Sequence, residues 1–223
     1  MRIVHSLGLL GMETYPVAIE VDVSSGLPVI SLIGLADTTI KESKERVKSA
    51  IKNSGFKWPG RRVTVNLAPS DIKKEGACFD LPIALGILAA DGQINPENLE
   101  NYCILGELSL DGSLRPVHGV LLAALSMVKN GYKNLILPRE NAEEAGLIPG
   151  ISIWPQKNLK TCIQLLHQPQ LYLPFQPTSG EITCADEKYG LDYCEVKGQY
   201  FAKRALEVAV AGGHNIIGHW TQT

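Results

Sequence analysis

At 223 residues, 45% hydrophobic and 20% charged, the chain is long enough to bury one good core and part of a second. A formal net charge of −2 and a pI near 6.2 exclude the overall basic footprint of a protein that coats itself in nucleic acid, leaving room only for a local basic patch. The longest apolar run, Leu81 to Ala90, is about half of what a bilayer span needs, and the start Met1-Arg2-Ile3-Val4-His5 lacks an apolar signal core, so a cytoplasmic protein without membrane association is expected. The cysteines, Cys78, Cys103, Cys162, Cys184 and Cys194, form no C-x-x-C pair; they read as free thiols, with no disulfide framework and no zinc site.

Residues 14 to 23 alternate, with Val17, Ile19, Val21 and Val23 on one face, which predicts a half-buried strand. Ser24-Ser25-Gly26 turns the chain and Val29 to Ile33 reads as the returning strand of a β-hairpin. Thr39-Ile40-Lys41-Glu42 matches a capping box and opens a helix with Ile40, Val47, Ala50 and Ile51 on one stripe, closed by Gly55. Its other face, Lys41, Glu42, Lys44, Glu45, Arg46 and Lys48, reads as solvated, with Lys41/Glu45 and Glu42/Arg46 at i,i+4 spacing. Arg62 to Leu67 is a strand preceded by Lys57, Arg61 and Arg62, three cations that suit either phosphates or a surface rim.

Phe79 to Ala90 predicts a buried helix ended by Asp91-Gly92. Tyr102 to Leu110 and Ser113 to Val117 read as strands joined at Asp111-Gly112. A helix over 119–130, a strand over 134–137, a helix over 139–145, a strand over 151–154 and a helix over 158–167 complete the first unit. From Gln168 to about Tyr189, Pro169, Pro174 and Pro177 mark a linker, and everything from about 168 onward is expected to be loosely packed. Strands interleave with helices through hairpins as well as crossovers, which favours an α+β sandwich over a doubly wound sheet.

The last stretch, Val196-Lys197-Gly198-Gln199, an amphipathic run from Tyr200 to Ala211, then Gly212-Gly213-His214-Asn215, resembles the magnesium-chelatase-like AAA+ ATPases of the YifB/ComM type. In that family the V-x-G-Q segment lies against adenine and a strand then enters the phosphate loop. Here His219-Trp220-Thr221-Gln222-Thr223 follow, and no G-x-x-x-x-G-K-[ST] string occurs. The resemblance therefore implies a truncated start of an AAA+ domain over 191–223, with Val196, Gly198 and Gln199 as remnant adenine-edge residues. No ATPase activity and no cofactor are expected for the chain as written; ATP and Mg belong to full-length relatives. The stripe Ala202, Ala205, Leu206, Ala209 and Val210 would pack on the core of such a domain.

Upstream, Gly34-Leu35-Ala36-Asp37, Glu42 to Val47, Val65-Asn66-Leu67-Ala68-Pro69, Lys74-Glu75-Gly76, Phe79 to Leu85 and Gly106 to Gly112 resemble the subunit-I-type N-terminal domain of the same family. The resemblance implies that residues 1–167 adopt the ribosomal protein S5 domain 2-like fold shared with the Lon peptidase domain, followed by a Pro-rich linker over 168–190.

Lon-type peptidases use a serine activated by a lysine. The match to their D-G-P-S-A-G segment puts Cys78 at the nucleophile and Asp80 at a small glycine, and counting on through Gly106-Glu107-Leu108 puts Leu121 at the lysine. Leucine accepts no proton, so the dyad is degenerate and no catalytic residue is expected. Activation of Cys78 by His118, Lys73 or Lys74 is the other option to be weighed. The expected role is that of an accessory or interaction domain. Full-length relatives are expected to form rings and translocate DNA during uptake and recombination, with DNA and ring subunits as partners. Homo-oligomers are not expected for the fragment, because ring-closing surfaces lie mostly in the missing part. The alternatives are a Lon-like peptidase and a stand-alone nucleic-acid-binding module.

Overall fold

In chain order the elements are β1 (Arg2–Leu10), β2 (Glu13–Ser24), β3 (Ile30–Ile33), α1 (Asp37–Asn53), β4 (Arg62–Ala68), α2 (Asp80–Ala90), β5 (Cys103–Ile104), β6 (Glu107–Leu108), β7 (Leu114–Arg115), α3 (Val120–Lys129), β8 (Asn134–Pro138), α4 (Ala142–Gly146), β9 (Ser152–Gln156), α5 (Leu159–His167) and α6 (Tyr200–Gly212). The computed structural model describes residues 1–11, 13–34, 37–69, 74, 76–95, 97–177 and 196–217, with the backbone alone for 37–41.

Alternation along β2 buries Val17, Ile19 and Val21 and leaves Ala18, Glu20 and Asp22 partly exposed. β2 forms an antiparallel hairpin with β1, placing Val4 opposite Ile19. On its other side it pairs with β4, not with β3, so the expected hairpin between 14–23 and 29–33 is not formed. β4 supplies seven residues, from Arg62 opposite Ser24 to Ala68 opposite Ala18, whose alternating Val63, Val65 and Leu67 match the β2 pattern face for face. The four-residue β3 is left to run parallel to β4 at the edge, tied in ahead of the strand by Val63 N–H donating to the Val29 carbonyl at 2.9 Å.

The sheet order is β3-β4-β2-β1-β5-β8-β9, and β1, β5, β8 and β9 run parallel to one another. In this half both faces are covered. Ile104 and Ile136 join a core with α1, α2 and α5, while their sequence neighbours Cys103, Leu135 and Leu137 join a second core with α3 and α4. The strands there read as continuous apolar runs because neither face meets water. The architecture is thus a mixed, mostly parallel sheet: three layers at the β5-β8-β9 end and a single buried face on β2 and β4. Of the expected α+β character, the mixture of an antiparallel hairpin with parallel crossovers is present, but most of the strand pairs are parallel.

α2 is buried from Asp80 to Ala89 and lies close against β2. A Cβ at Gly86 would stand 2.7 Å from Val21 Cγ2, so the absence of a side chain sets that approach. The strand expected over 102–110 is broken. Gly106 N–H donates to the Cys78 carbonyl at 2.9 Å and its carbonyl accepts from Leu81 N–H at 3.0 Å, which takes the chain out of the sheet to bracket the start of α2. β6 and β7 then form their own two-stranded ribbon.

The first compact unit runs from Met1 to Thr178, so the Pro-rich stretch is not all linker. Phe175 N–H donates to the Ile153 carbonyl at 2.8 Å along the outer edge of β9, Phe175 packs on the second core and Tyr172 on the first. Residues 169–177 are therefore docked, contrary to the loose packing expected from 168; the remainder of the expected linker lies outside the described residues.

In the second unit, Ser179–Thr223, α6 closes at Gly213, whose φ is +63°. His214 N–H donates to Ala209 O at 2.8 Å and Gly213 N–H to Val210 O at 3.3 Å, the paired bonds of a Schellman stop. Gly212-Gly213-His214-Asn215 thus has a local reason: it ends the helix. His214 to Ile217 belong to no strand. Of the stripe expected to pack, Ala209 is buried, Ala202 is half-buried, and Ala205, Leu206 and Val210 are exposed.

Candidate functional site

The chain approaches α2 through Gly76, Ala77 and Cys78, which form one wall of a cleft of about 210 Å³. Leu9 from β1, Glu107 from β6 and Pro116, Val117 and His118 from the approach to α3 form the rest. Cys78 and His118 thus meet at one cleft, as the sequence allowed. The Cys78 thiol, however, is pushed up to about 12 by burial and by the carboxylates of Asp80 and Glu107. It is protonated at neutral pH, and a protonated thiol is neither a nucleophile nor a metal ligand. Labelling with a thiol-reactive disulfide at pH 8 is expected to proceed at Cys78 more slowly than at a free model thiol; faster labelling would restore a reactive cysteine.

Leu121 lies outside that lining, in the first turn of α3, where its N–H donates to Glu144 Oε1 at 3.1 Å. Its side chain is hydrocarbon and supplies no base to Cys78. Lys74, another option for activating Cys78, is fully buried and donates from Nζ to the Pro69 carbonyl. Lys73 lies outside the described residues.

Asp80, which the resemblance sets at a small glycine beside Cys78, turns its carboxylate inward, where it is 1% exposed. Ser43 Oγ donates to Oδ1 at 2.8 Å, Arg46 Nε to Oδ2 at 2.7 Å, and Leu108 N–H to Oδ2 at 3.4 Å. Burial pushes the Asp80 carboxyl up, against the pull of Arg46, Ser43 and the Leu108 amide. Its hydrogen bond in turn raises the Arg46 guanidinium further. Arg46 keeps the expected Glu42 contact at 3.4 Å as a second, weaker partner.

This network joins α1, α2 and β6 behind the cleft, and reading the α1 charges as a solvated face missed it. The signal was there: a carboxylate opening an otherwise apolar helix needs a buried cation from somewhere.

Val196, Gly198 and Gln199 stand together in the turn before α6, in the second unit. Gly198 and Gln199 both have positive φ, +73° and +52°, and Lys203 N–H closes on the Gln199 carbonyl at 2.9 Å. Gln199 is the one non-glycine residue with a left-handed backbone among those described. Val196 is 45% exposed. Among the described residues no group of His, Cys, Asp and Glu is placed to hold a metal ion, and no helix is long and apolar enough to cross a membrane. The His5 and Tyr132 rings meet at a tilt of 50°, with centroids 5.6 Å apart.

Against known proteins, the family described as subunit ChlI of Mg-chelatase matches residues 19–141. A Salmonella typhimurium protein called "Uncharacterized protein YifB" is 41% identical over 218 residues, covering 97% of this chain and 42% of the relative. "Competence protein ComM" of Haemophilus influenzae is 41% identical over 218 residues, again 97% of this chain and 43% of the relative. "Lon protease 2" of Bacillus subtilis is more distant, 30% identical over 139 residues, 60% of this chain and 24% of the protease. The chain spans less than half the length of the YifB and ComM relatives. With the family matched over more than half of the chain, and these relatives aligned along nearly all of it, the chain belongs to the Mg-chelatase subunit ChlI family, among its YifB and ComM members.

Proposed function

We propose that the folded first unit is a non-catalytic accessory domain of a ComM-like, Mg-chelatase-related AAA+ ATPase, and that its fold is the S5 domain 2-like one that the Lon peptidase domain also uses. The observation that carries this reading is the cleft at Cys78, where burial holds the candidate nucleophile protonated; Leu121, which the resemblance matches to the dyad lysine, stands outside that lining and offers no base. The likeness to Lon protease supports common architecture, and the filled-in chemistry supports lost hydrolysis. The competence name of the Haemophilus relative supports a role for the whole protein in DNA uptake. ATP hydrolysis, with Mg, belongs in this reading to the phosphate loop of full-length relatives. Val196, Gly198 and Gln199 would border the adenine there, and the chain as written would turn over no ATP.

The test is hydrolysis. The full chain, incubated with casein and with fluorogenic peptides, is expected to release product no faster than a blank, with or without Cys78→Ala. Turnover that Cys78→Ala abolishes would overturn the reading and establish a peptidase with a cysteine nucleophile.

A further inference from the structure

One end of the first unit gathers six cations, of which only Arg61 has a carboxylate partner among the described residues. The loop Phe56-Lys57-Trp58-Pro59-Gly60-Arg61 leads from α1 to β4, whose first residue is Arg62, and Lys57, Arg61 and Arg62 are exposed. Lys52, in the last turn of α1, is exposed beside it. Lys157 and Lys160 flank the start of α5, and a Cβ on Gly55 would lie 4.0 Å from Lys160 Cε, which brings that helix up against the loop. In a chain whose acids outnumber its cations, none of Lys52, Lys57, Arg62, Lys157 and Lys160 has a carboxylate partner among the described residues. Of the nearby acids, Asp91 is paired with Arg61 at 2.7 Å and takes Gln93 at 2.8 Å. Asp111, which lines one cleft with Lys160, takes the amide and hydroxyl of Ser113 at 2.9 and 2.7 Å and keeps its charge, so the cations outnumber the free carboxylates here.

The loop is also held in shape. Gln93 clamps Lys57 on both backbone groups, accepting from its N–H at 2.9 Å and donating to its carbonyl at 2.6 Å. Phe56 N–H closes on Ile51 O at 3.1 Å, and Phe56 and Trp58 pack against the first core. The aromatic rings thus anchor the loop and offer no stacking platform to unpaired bases. Clustered unpaired cations on a fixed frame suit a partner that presents a regular row of negative charge and is met through that charge alone.

We infer that the α1–β4 loop, the end of α1 and the start of α5 form a docking surface for the phosphate backbone of nucleic acid, independent of base sequence. This inference rests on the DNA-directed reading above and places the contact in the accessory domain. Each cation that meets a phosphate releases a counterion, so binding should weaken steeply with salt.

The experiment is fluorescence anisotropy of the full chain with a labelled duplex of about 20 base pairs, titrated with salt upward from about 50 mM. Binding is expected, with a log–log salt slope of about −4 and with affinities for unrelated sequences agreeing within about threefold. The triple variant Lys57→Gln, Arg62→Gln, Lys160→Gln is expected to bind at least about tenfold more weakly at the lowest salt, with the slope reduced by about 3. Lys129→Gln, on α3, is the control and should bind as the parent does. Circular dichroism melts should coincide for all, since every substituted side chain is exposed.

No binding at about 50 mM salt overturns the inference, as does a triple variant that binds like the parent. Displacement of the duplex by polyglutamate as readily as by unlabelled duplex overturns it too, in favour of an acidic polypeptide partner. These outcomes leave the peptide-hydrolysis result untouched, so failure of the docking surface and failure of the accessory-domain reading are told apart.

Discussion

Arg46→Ala is expected to lower folding stability by about 3–5 kcal/mol, read from urea unfolding. The reason lies in what stays behind. Asp80 is 1% exposed and its side chain cannot reach water when the guanidinium is gone; Ser43 and the Leu108 amide are neutral donors and cannot replace a charge. The Arg46 side chain is itself only 19% exposed, so its stem loses packing as well.

Two comparisons separate this account from a generic loss of a surface arginine. Glu42→Ala removes the partner that is 71% exposed and should change stability by about 0.5 kcal/mol or less. Arg46→Met combined with Asp80→Leu removes both charges and should recover most of the loss, within about 1–2 kcal/mol of the parent. A double variant as unstable as Arg46→Ala alone would sink the charge argument. The pH dependence follows from the raised Asp80 value. Between the ordinary carboxylate range and that raised value, the folded chain holds a proton that the unfolded chain has lost. The stability due to Asp80 is therefore complete below the unfolded value and declines as pH climbs through the folded one. Asp80→Asn should remove that decline from a plot of stability against pH, and an unaltered plot would contradict it.

Phe79→Ala is the second large effect, again about 3–5 kcal/mol. Phe79 is fully buried in the first core at the mouth of α2, and its carbonyl takes the Ile83 amide at 3.0 Å. Truncation leaves a hole between a helix buried along nearly its whole length and a sheet that cannot follow it inward, because the β1, β2 and β4 ladders fix the strands. Phe79→Leu should cost distinctly less. A loss below about 1 kcal/mol for Phe79→Ala in denaturant titration would mean that the core collapses to fill the gap.

How much of this was legible beforehand varied with how local the cause was. The α2 run and the β2 and β4 alternations were plain, because one buried face or a wholly buried helix writes its own pattern. β1 was missed. At the middle of the sheet Val4, Ser6, Leu7 and Gly8 are all buried, so no period of two survives, and the polar Ser6 is accommodated by donating to Ile104 O at 2.8 Å. The placement of β3 could not be read either, since its neighbour is decided by the longer β4, which comes some thirty residues later in the chain. At the site, the meeting of Cys78 and His118 was readable as an option, and the two do line one cleft. The Asp80–Arg46 pair was not: its members are 34 positions apart, and Arg46 had a credible local partner in Glu42.

The hydrogen bond from Phe175 to the outer side of β9 also governs how these sheets can meet. An open sheet has two ends from which another chain could extend it, and two open ends permit unlimited stacking. With β9 occupied by residues of its own chain, the four-residue β3 is the sheet's remaining uncovered edge among the described residues. Two copies joined through β3 would use up the free edge of both, so this mode of association ends at a pair and cannot propagate into a fibre.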